Sequence, residues 1–256
     1  MESQSSIHTS RRWAEYFRTD WSVALLSFCF VTSHPHRGKF ITFEGLDGCG
    51  KSTQLGKLAH ALRSQGLVVV ETREPGGTQA AEKIRQLLLN SRTSPLAPNT
   101  ELALMFAARV QHIEQVIAPA LAAGKIVLCD RFTDSSEAYQ GGGRKLGSKP
   151  VLELHRILCG DLQPNLTILM DSDVAASVGR ARRRNKARAE SAPQNASDEG
   201  RFEKENRAFF ERVRDAYLMI ARREPRRVKL VDARGTVSQT HKKILELVQK
   251  TLKPAK

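Results

Sequence analysis

Long apolar runs are missing from this chain: the longest, Val23 to Val31, spans nine residues and is broken by Ser27, whereas a membrane helix needs about 20. No transmembrane span is expected. Cysteine is also scarce, four in 256 residues (Cys29, Cys49, Cys129 and Cys159), with no CxxC pair. That spacing points to neither a zinc site nor a disulfide framework. With only 17 Gly and 10 Pro, collagen-like and low-complexity readings fall away. Acidic residues are outnumbered, 27 against 41 Lys plus Arg, for a net charge of +14. Such an excess suits polyanionic partners: nucleotides, nucleic acid or an anionic membrane surface. Charge does not choose among them, but aromatics at 6% are few for a protein that stacks bases along a strand. What is present, 40% hydrophobic and 27% charged residues, is ordinary globular composition, enough for one domain of about 200 residues plus appendages.

The first 37 residues stand apart. Arg11, Arg12 and Arg18 precede the short apolar run as in a signal peptide, but Asp20 borders that run, Glu15 lies among the basic residues, and Ser33-His34-Pro35-His36 offers no small-residue cleavage site. Residues 1–37 are therefore expected to be a dispensable, poorly ordered extension, and 38–256 the working domain of a cytoplasmic protein.

From Lys39 onward short β-branched runs alternate with longer helical patterns, the βαβ signature. Strands are expected at Phe40–Glu44, Leu67–Thr72, Ile126–Asp130, Leu166–Met170 and Val228–Asp232, each nearly continuous in apolar residues as buried parallel strands are. Helices are expected near 52–64, 80–89, 100–123, 151–158, 175–183, 201–223 and 238–252. Arg188 to Gly200, poor in apolar residues, reads as a surface loop. The fold class is thus α/β, a five-stranded parallel sheet flanked by helices. Ala176 to Leu230 carries 16 Lys or Arg against 8 Asp or Glu, a balance of +8. Most of these side chains suit a solvated basic face; a few could cover bound phosphates.

Gly45-Leu46-Asp47-Gly48-Cys49-Gly50-Lys51-Ser52 matches GxxxxGK[ST], followed by Thr53, between an apolar strand and a helical pattern. Glycines there turn successive N–H groups inward and the helix N-terminus adds partial positive charge, making a phosphate nest. Lys51 would reach the β- and γ-phosphates and Ser52 would hold magnesium. A second constellation, Asp130 to Gln140, lies at the carboxyl end of the third strand, where ligands of parallel sheets bind. Arg131 offers a planar fork for phosphate, and Ser136, Tyr139 and Gln140 could share nearby turns of a short helix. Asp130 and Arg131 also read as a plain strand cap. Arg73-Glu74-Pro75-Gly76-Gly77-Thr78 follows the second strand, an ordinary turn in isolation. In Met105-Phe106-Ala107-Ala108-Arg109, bare spacing favours a core Phe beside a surface Arg.

Together, FEGLDGCGKST (Phe43 to Thr53), TREPGGT (Thr72 to Thr78), FAAR (Phe106 to Arg109) and DRFTDSSEAYQGGGR (Asp130 to Arg144) resemble the thymidylate kinase family over about Lys39 to Leu252. The resemblance implies a P-loop kinase that takes ATP and dTMP with Mg²⁺, and a homodimer. It assigns Arg131 and Arg85 to the acceptor phosphate, with Arg73 and Glu74 nearby. Phe106 would stack on thymine, Arg109 would bond its O4, and Ser136 and Gln140 would complete the base pocket. Asp47 would engage the sugar 3′-hydroxyl and Tyr139 would crowd its 2′ position. In some relatives the aromatic stands four residues before the Arg; here Phe106 stands three before it and Met105 four. Some members carry an Arg in the P-loop, where this chain has Gly48, so a lid at about 180–203 is expected to supply the charge. Arg180, Arg182, Arg183, Arg184, Arg188 and Arg201 are candidates, with Arg182, Arg184 and Arg201 the expected catalytic set.

Phosphoryl transfer to a monophosphate needs positioning and charge neutralisation more than proton chemistry, so no general base is assigned, and neither nucleic acid nor membrane is an expected partner. Two other classes compete: a P-loop kinase of a different nucleoside or monophosphate, and a nucleic-acid-stimulated NTPase suggested by the charge.

Overall fold

The computed structural model describes residues 38–90, 95–191 and 200–253. The expected extension 1–37 lies outside these, as do residues 192–199 of the expected loop.

The architecture is the expected one: five parallel strands with helices on both faces, in the order β2-β3-β1-β4-β5. β1 (Lys39–Glu44) is central and buried along nearly its whole length, pairing with β3 (Ile126–Asp130) on one side and β4 (Leu166–Asp171) on the other. β2 (Val69–Arg73) and β5 (Val228–Asp232) are the edges. On one face α1 (Lys51–Arg63) and α9 (Val237–Leu252) bury Leu55, Leu58, Leu62, Ile244 and Val248 against Ile41, Phe43 and Ile168. On the other, α3 (Pro98–His112), α4 (Ala118–Ala122) and α6 (Ser148–Cys159) pack Phe106, Ile113, Leu121 and Val151 against Phe40, Val127 and Phe132. A third cluster lies beneath α8 (Arg207–Arg223), where Phe209, Val213 and Tyr217 meet Leu46, Tyr139 and Leu169.

Local chemistry sets the boundaries. Thr78 caps α2 (Gln79–Leu89) by accepting from the Ala81 N–H, and Thr236 with Gln239 forms a capping box on α9. The single helix expected at 100–123 is interrupted by a π turn, Ile113–Ile117, ahead of Pro119, whose ring lacks a donor and crowds the preceding turn. Asn206 caps α8 through the Phe209 N–H at 2.9 Å, so that helix begins at Arg207 and not at 201. In the opposite sense α7 (Val174–Ser191) runs past Arg183, making helix of Arg188–Ser191, the start of the expected loop. The short α5 (Thr133–Ser136) continues as a π turn, Glu137–Gly143. α8 lies so close to that turn that a Cβ on Gly142 would come within 2.7 Å of the Ala216 Cβ. No described helix is long and apolar enough to cross a membrane.

Candidate active site

The carboxyl ends of the strands open into one cavity of about 900 Å³, in the crevice where α/β sheets hold their ligands. One wall is the loop from β1 to α1. Gly45, Gly48 and Gly50 have φ of 128°, 80° and 102°, left-handed backbone that lets the loop turn back on itself, with the Cys49 N–H donating to Leu46 O at 3.3 Å. Lys51 is nearly buried and its Nζ donates to the carbonyls of Gly45 and Leu46, at 3.1 and 3.0 Å. The Leu46 side chain is core, so this position serves through its backbone.

A side chain at Gly48 has nowhere to go: its Cβ would lie 2.2 Å from the Ser177 carbonyl oxygen. α7 is what closes that space, and in exchange its Arg180 donates Nε to the Gly48 carbonyl at 2.7 Å. Arg184, one turn further on, also lines the cavity.

From β3 comes the opposite wall. Ser52 Oγ donates to Asp130 Oδ2 at 2.8 Å, while the buried Oδ1 of Asp130 has no partner. Arg131 has φ 75°, a left-handed conformation that costs a non-glycine residue about 1–2 kcal/mol. Its backbone N–H donates to Phe43 O at 2.9 Å. Its guanidinium donates to Asp47 Oδ1 (2.8 Å), Ser135 Oγ (2.9 Å), Tyr217 OH (3.1 Å) and Tyr139 OH (3.2 Å). Burial pushes the Asp47 carboxyl up, but Arg131 and Lys51 outweigh it and hold the group well below the usual carboxylate range. Tyr139 OH donates to Asp47 Oδ2 at 3.2 Å, bringing together the two residues expected around the sugar.

Beneath Arg131 lies Glu44, fully buried, accepting from the Phe132 N–H at 2.7 Å and the Tyr217 OH at 2.9 Å, and also from Ser135 Oγ. Burial, reinforced by the nearby Asp134 charge, lifts its carboxyl to about 7, against the pull of Arg131.

Arg109 is buried, contrary to the bare-spacing reading of a surface Arg. Nε donates to Glu74 Oε2 at 2.7 Å, and Nη2 donates to Ser136 Oγ at 2.9 Å and Phe132 O at 3.2 Å. Its Nη1 has no partner although Arg109 lines the cavity. Glu74 also meets His112 Nδ1 at 3.1 Å. Burial raises this carboxyl, but Arg109 and His112 bring it below its ordinary value. Arg73 and Arg85 face the same cavity, Arg73 paired with Glu82 at 3.1 Å and Arg85 donating to Pro75 O at 3.0 Å. Gln140 completes this end, and Cys49 and Thr53 lie along the loop wall.

Five expected residues are not on these walls: Gly45 and Leu46 at the start of the loop, and Phe106, Arg182 and Arg201. Phe106 is wholly buried in the core cluster beside Phe40 and Val127, with the Arg109 guanidinium 4.6 Å above its ring; Met105 lines the cavity instead. The hydrophobic stripe of α3 must face the sheet, and one residue of helix, about 100°, turns Phe106 inward. Arg182 points away and donates to Glu205 O at 3.1 Å. Arg201 is held by Glu101 and Leu88 O; of the expected set Arg182, Arg184 and Arg201, Arg184 lines the cavity, where Arg180 joins it. The spacing of four residues to Arg109 is the sequence signal for Met105, and Arg180 is among the lid candidates; sequence spacing offers none for Tyr217 or Glu101.

The sequence of residues 43–244 matches the thymidylate kinase family model. A thymidylate kinase of Ectopseudomonas mendocina is 47% identical over 215 residues, covering 84% of this chain and 97% of that protein. One of Pseudomonas putida strain W619 is 52% identical over 194 residues, 76% and 88% of the two chains. The crystal structure of thymidylate kinase from Ehrlichia chaffeensis superposes with a TM-score of 0.64 at 32% identity, over 83% of this chain and 99% of that one.

Proposed function

The chain belongs to the thymidylate kinase family, and we propose that it transfers the γ-phosphoryl group of ATP to dTMP, giving ADP and dTDP. The observation that carries this is one cavity with the P-loop along one side and Arg131, Arg85 and Arg109 along the other. ATP lies with its phosphates on the amides of Gly48 to Ser52, Lys51 swings from the Gly45 and Leu46 carbonyls to the transferring group, and Arg180 and Arg184 add positive charge from α7. The acceptor phosphate is met by Arg131 and Arg85. The deoxyribose sits against Asp47 and Tyr139, whose 3.2 Å contact leaves little room for a 2′-hydroxyl. The base lies toward Ser136 and Gln140, where the unpartnered Nη1 of Arg109 is the natural donor to a carbonyl oxygen, and Met105 offers an apolar contact. The acceptor phosphate is already anionic, so the chain needs no general base. Its task is to place two anions in line and neutralise their repulsion.

An orphaned Asp130 Oδ1 next to the Ser52 hydroxyl suits a hard cation that takes oxygen ligands and keeps several waters. Ser52 and Asp130 would hold Mg²⁺ there with ATP, and the ion would supply further neutralisation of the β- and γ-phosphates.

The working domain is taken to begin at about residue 38, a reading supported by the family match over residues 43–244 and by β1 starting at Lys39. Three buried, unpaired cysteines among the described residues suit the reducing cytoplasm. The homodimer implied by family resemblance is retained as part of the proposal; Ile157 and Leu158, exposed on α6, are apolar surface for such a contact.

A coupled ADP-release assay over a panel of nucleoside monophosphates, with ATP and Mg²⁺, tests the reading. The expected result is the highest kcat/KM with dTMP and no turnover after chelation of the metal. Turnover of another monophosphate with none of dTMP would transfer the chain to a different acceptor class, and ADP release stimulated by DNA without any acceptor would favour an NTPase.

A further inference from the structure

Glu101 is a fully buried carboxylate on α3 that the phosphoryl-transfer scheme leaves unused. A buried charge survives only with partners, and those it has come from two distant parts of the chain. Gln140 Nε2 donates to Oε1 at 2.8 Å, Arg144 Nη2 to Oε2 at 3.1 Å, and Arg201 Nη2 to Oε2 at 2.8 Å. Gln140 belongs to the cavity wall expected to meet the base. Arg201 belongs to the segment by which the chain returns from α7.

Arg201 is fastened on its other side as well. Its backbone N–H donates to Leu89 O at 3.1 Å and its Nε donates to Leu88 O, closing the carboxyl end of α2, where unpaired carbonyls and the helix dipole favour a cation. Its guanidinium lies 4.5 Å from the ring centroid of Phe202. Phe202 lines the cavity and meets Tyr139 edge-on, with 5.6 Å between centroids. Arg144 ties in the next turn through Glu205.

We propose that Glu101 is a positioning residue that makes one unit of the base pocket and the root of the lid. One carboxylate oxygen holds Gln140 for the acceptor base; the other holds Arg201, and with it Phe202 at the cavity wall. The inference rests on reading this cavity as the dTMP site. Its consequence is specific: a change at Arg201, which does not itself line the cavity, alters recognition of dTMP. Without that cation the Glu101 carboxylate is drawn toward Arg144, whose Nε already meets both of its oxygens at 3.2 and 3.3 Å, and Gln140, bonded to Oε1, is shifted with it.

The test is calorimetric binding of dTMP, and separately of ATP, to the full chain and to Arg201→Met, Arg201→Lys and Glu101→Gln. Arg201→Met is expected to weaken dTMP binding about tenfold while ATP binding stays within about twofold of wild type. Arg201→Lys, which keeps a cation opposite Glu101, should recover most of the loss. Glu101→Gln should weaken dTMP to a similar degree; if it does not fold, the Arg201 pair decides. A folded Arg201→Met protein that binds dTMP as wild type does, with only a lower melting temperature, would overturn the coupling. Wild-type protein that binds no dTMP would overturn the acceptor-site reading and this inference with it, a result distinct from intact wild-type binding that the variants leave unchanged.

Discussion

Lys51 is nearly buried and rests on two backbone carbonyls of its own loop, so its charge is stored where the donor phosphates are expected. Lys51→Ala removes that charge from the transition state, an effect worth about 3–4 kcal/mol. The kcat in the coupled assay should fall about 10²–10³-fold with the circular dichroism spectrum unchanged; turnover within tenfold of wild type would sink the P-loop assignment. Glu44 gives a prediction of a different kind. Its carboxyl titrates near 7 in the folded protein against 4.5 for an ordinary glutamate, so between those values the folded state keeps a proton that the unfolded chain has lost. The stability Glu44 contributes is therefore full below about pH 4.5 and is lost as pH rises through 7, by up to about 1.4 kcal/mol per pH unit. Urea unfolding at pH 5, 6, 7 and 8 should show wild type losing stability relative to Glu44→Gln across that window. Parallel curves for the two proteins would mean that Glu44 is ionised throughout.

The P-loop and α7 are matched to each other. Position 48 has no room for a side chain because the helix fills that space, and the helix places Arg180 against the Gly48 carbonyl. Gly48→Ala requires the new Cβ to displace the Ser177 carbonyl, 2.2 Å away, in a backbone with φ 80°. Strain of about 1–2 kcal/mol and a shifted α7 should lower the melting temperature by several degrees and lower kcat more than the KM for dTMP. A variant with wild-type kcat would mean that α7 does not need its seat on the loop. Arginines of α7 should differ by which way they face. Arg180→Ala and Arg184→Ala, at the cavity wall, should each cost about ten- to a hundredfold in kcat, whereas Arg183→Ala, off that wall, should change kcat less than twofold. Equal losses at all three positions would reduce α7 to a diffuse basic surface.

Every motif that lines the cavity lies after residue 38, and the family match spans residues 43–244. A chain lacking residues 1–37 should therefore keep kcat and both KM values within about twofold; insoluble or inactive protein would show that the extension supports the domain. The alternation of apolar runs and helical patterns was enough to call five parallel strands, and two of them, Ile126–Asp130 and Val228–Asp232, were placed to the residue. Short apolar, β-branched runs alternating with longer helical patterns are the signature of parallel strands joined by crossover helices. The P-loop and the Asp130–Arg131 pair were equally legible, because phosphate chemistry demands particular residues at fixed spacing along a single turn. What sequence could not reveal depends on residues far apart in the chain. Met105 and not Phe106 faces the cavity because α3 rolls its apolar stripe onto β1 and β3. Arg180 reaches Gly48 across 132 positions, and Arg201 stays off the cavity wall because Glu101, 100 positions earlier, holds it. Local patterns encode backbone conformation and the chemistry held within one loop; which of several similar arginines meets a ligand is decided by packing, where burial selects a partner for every charge.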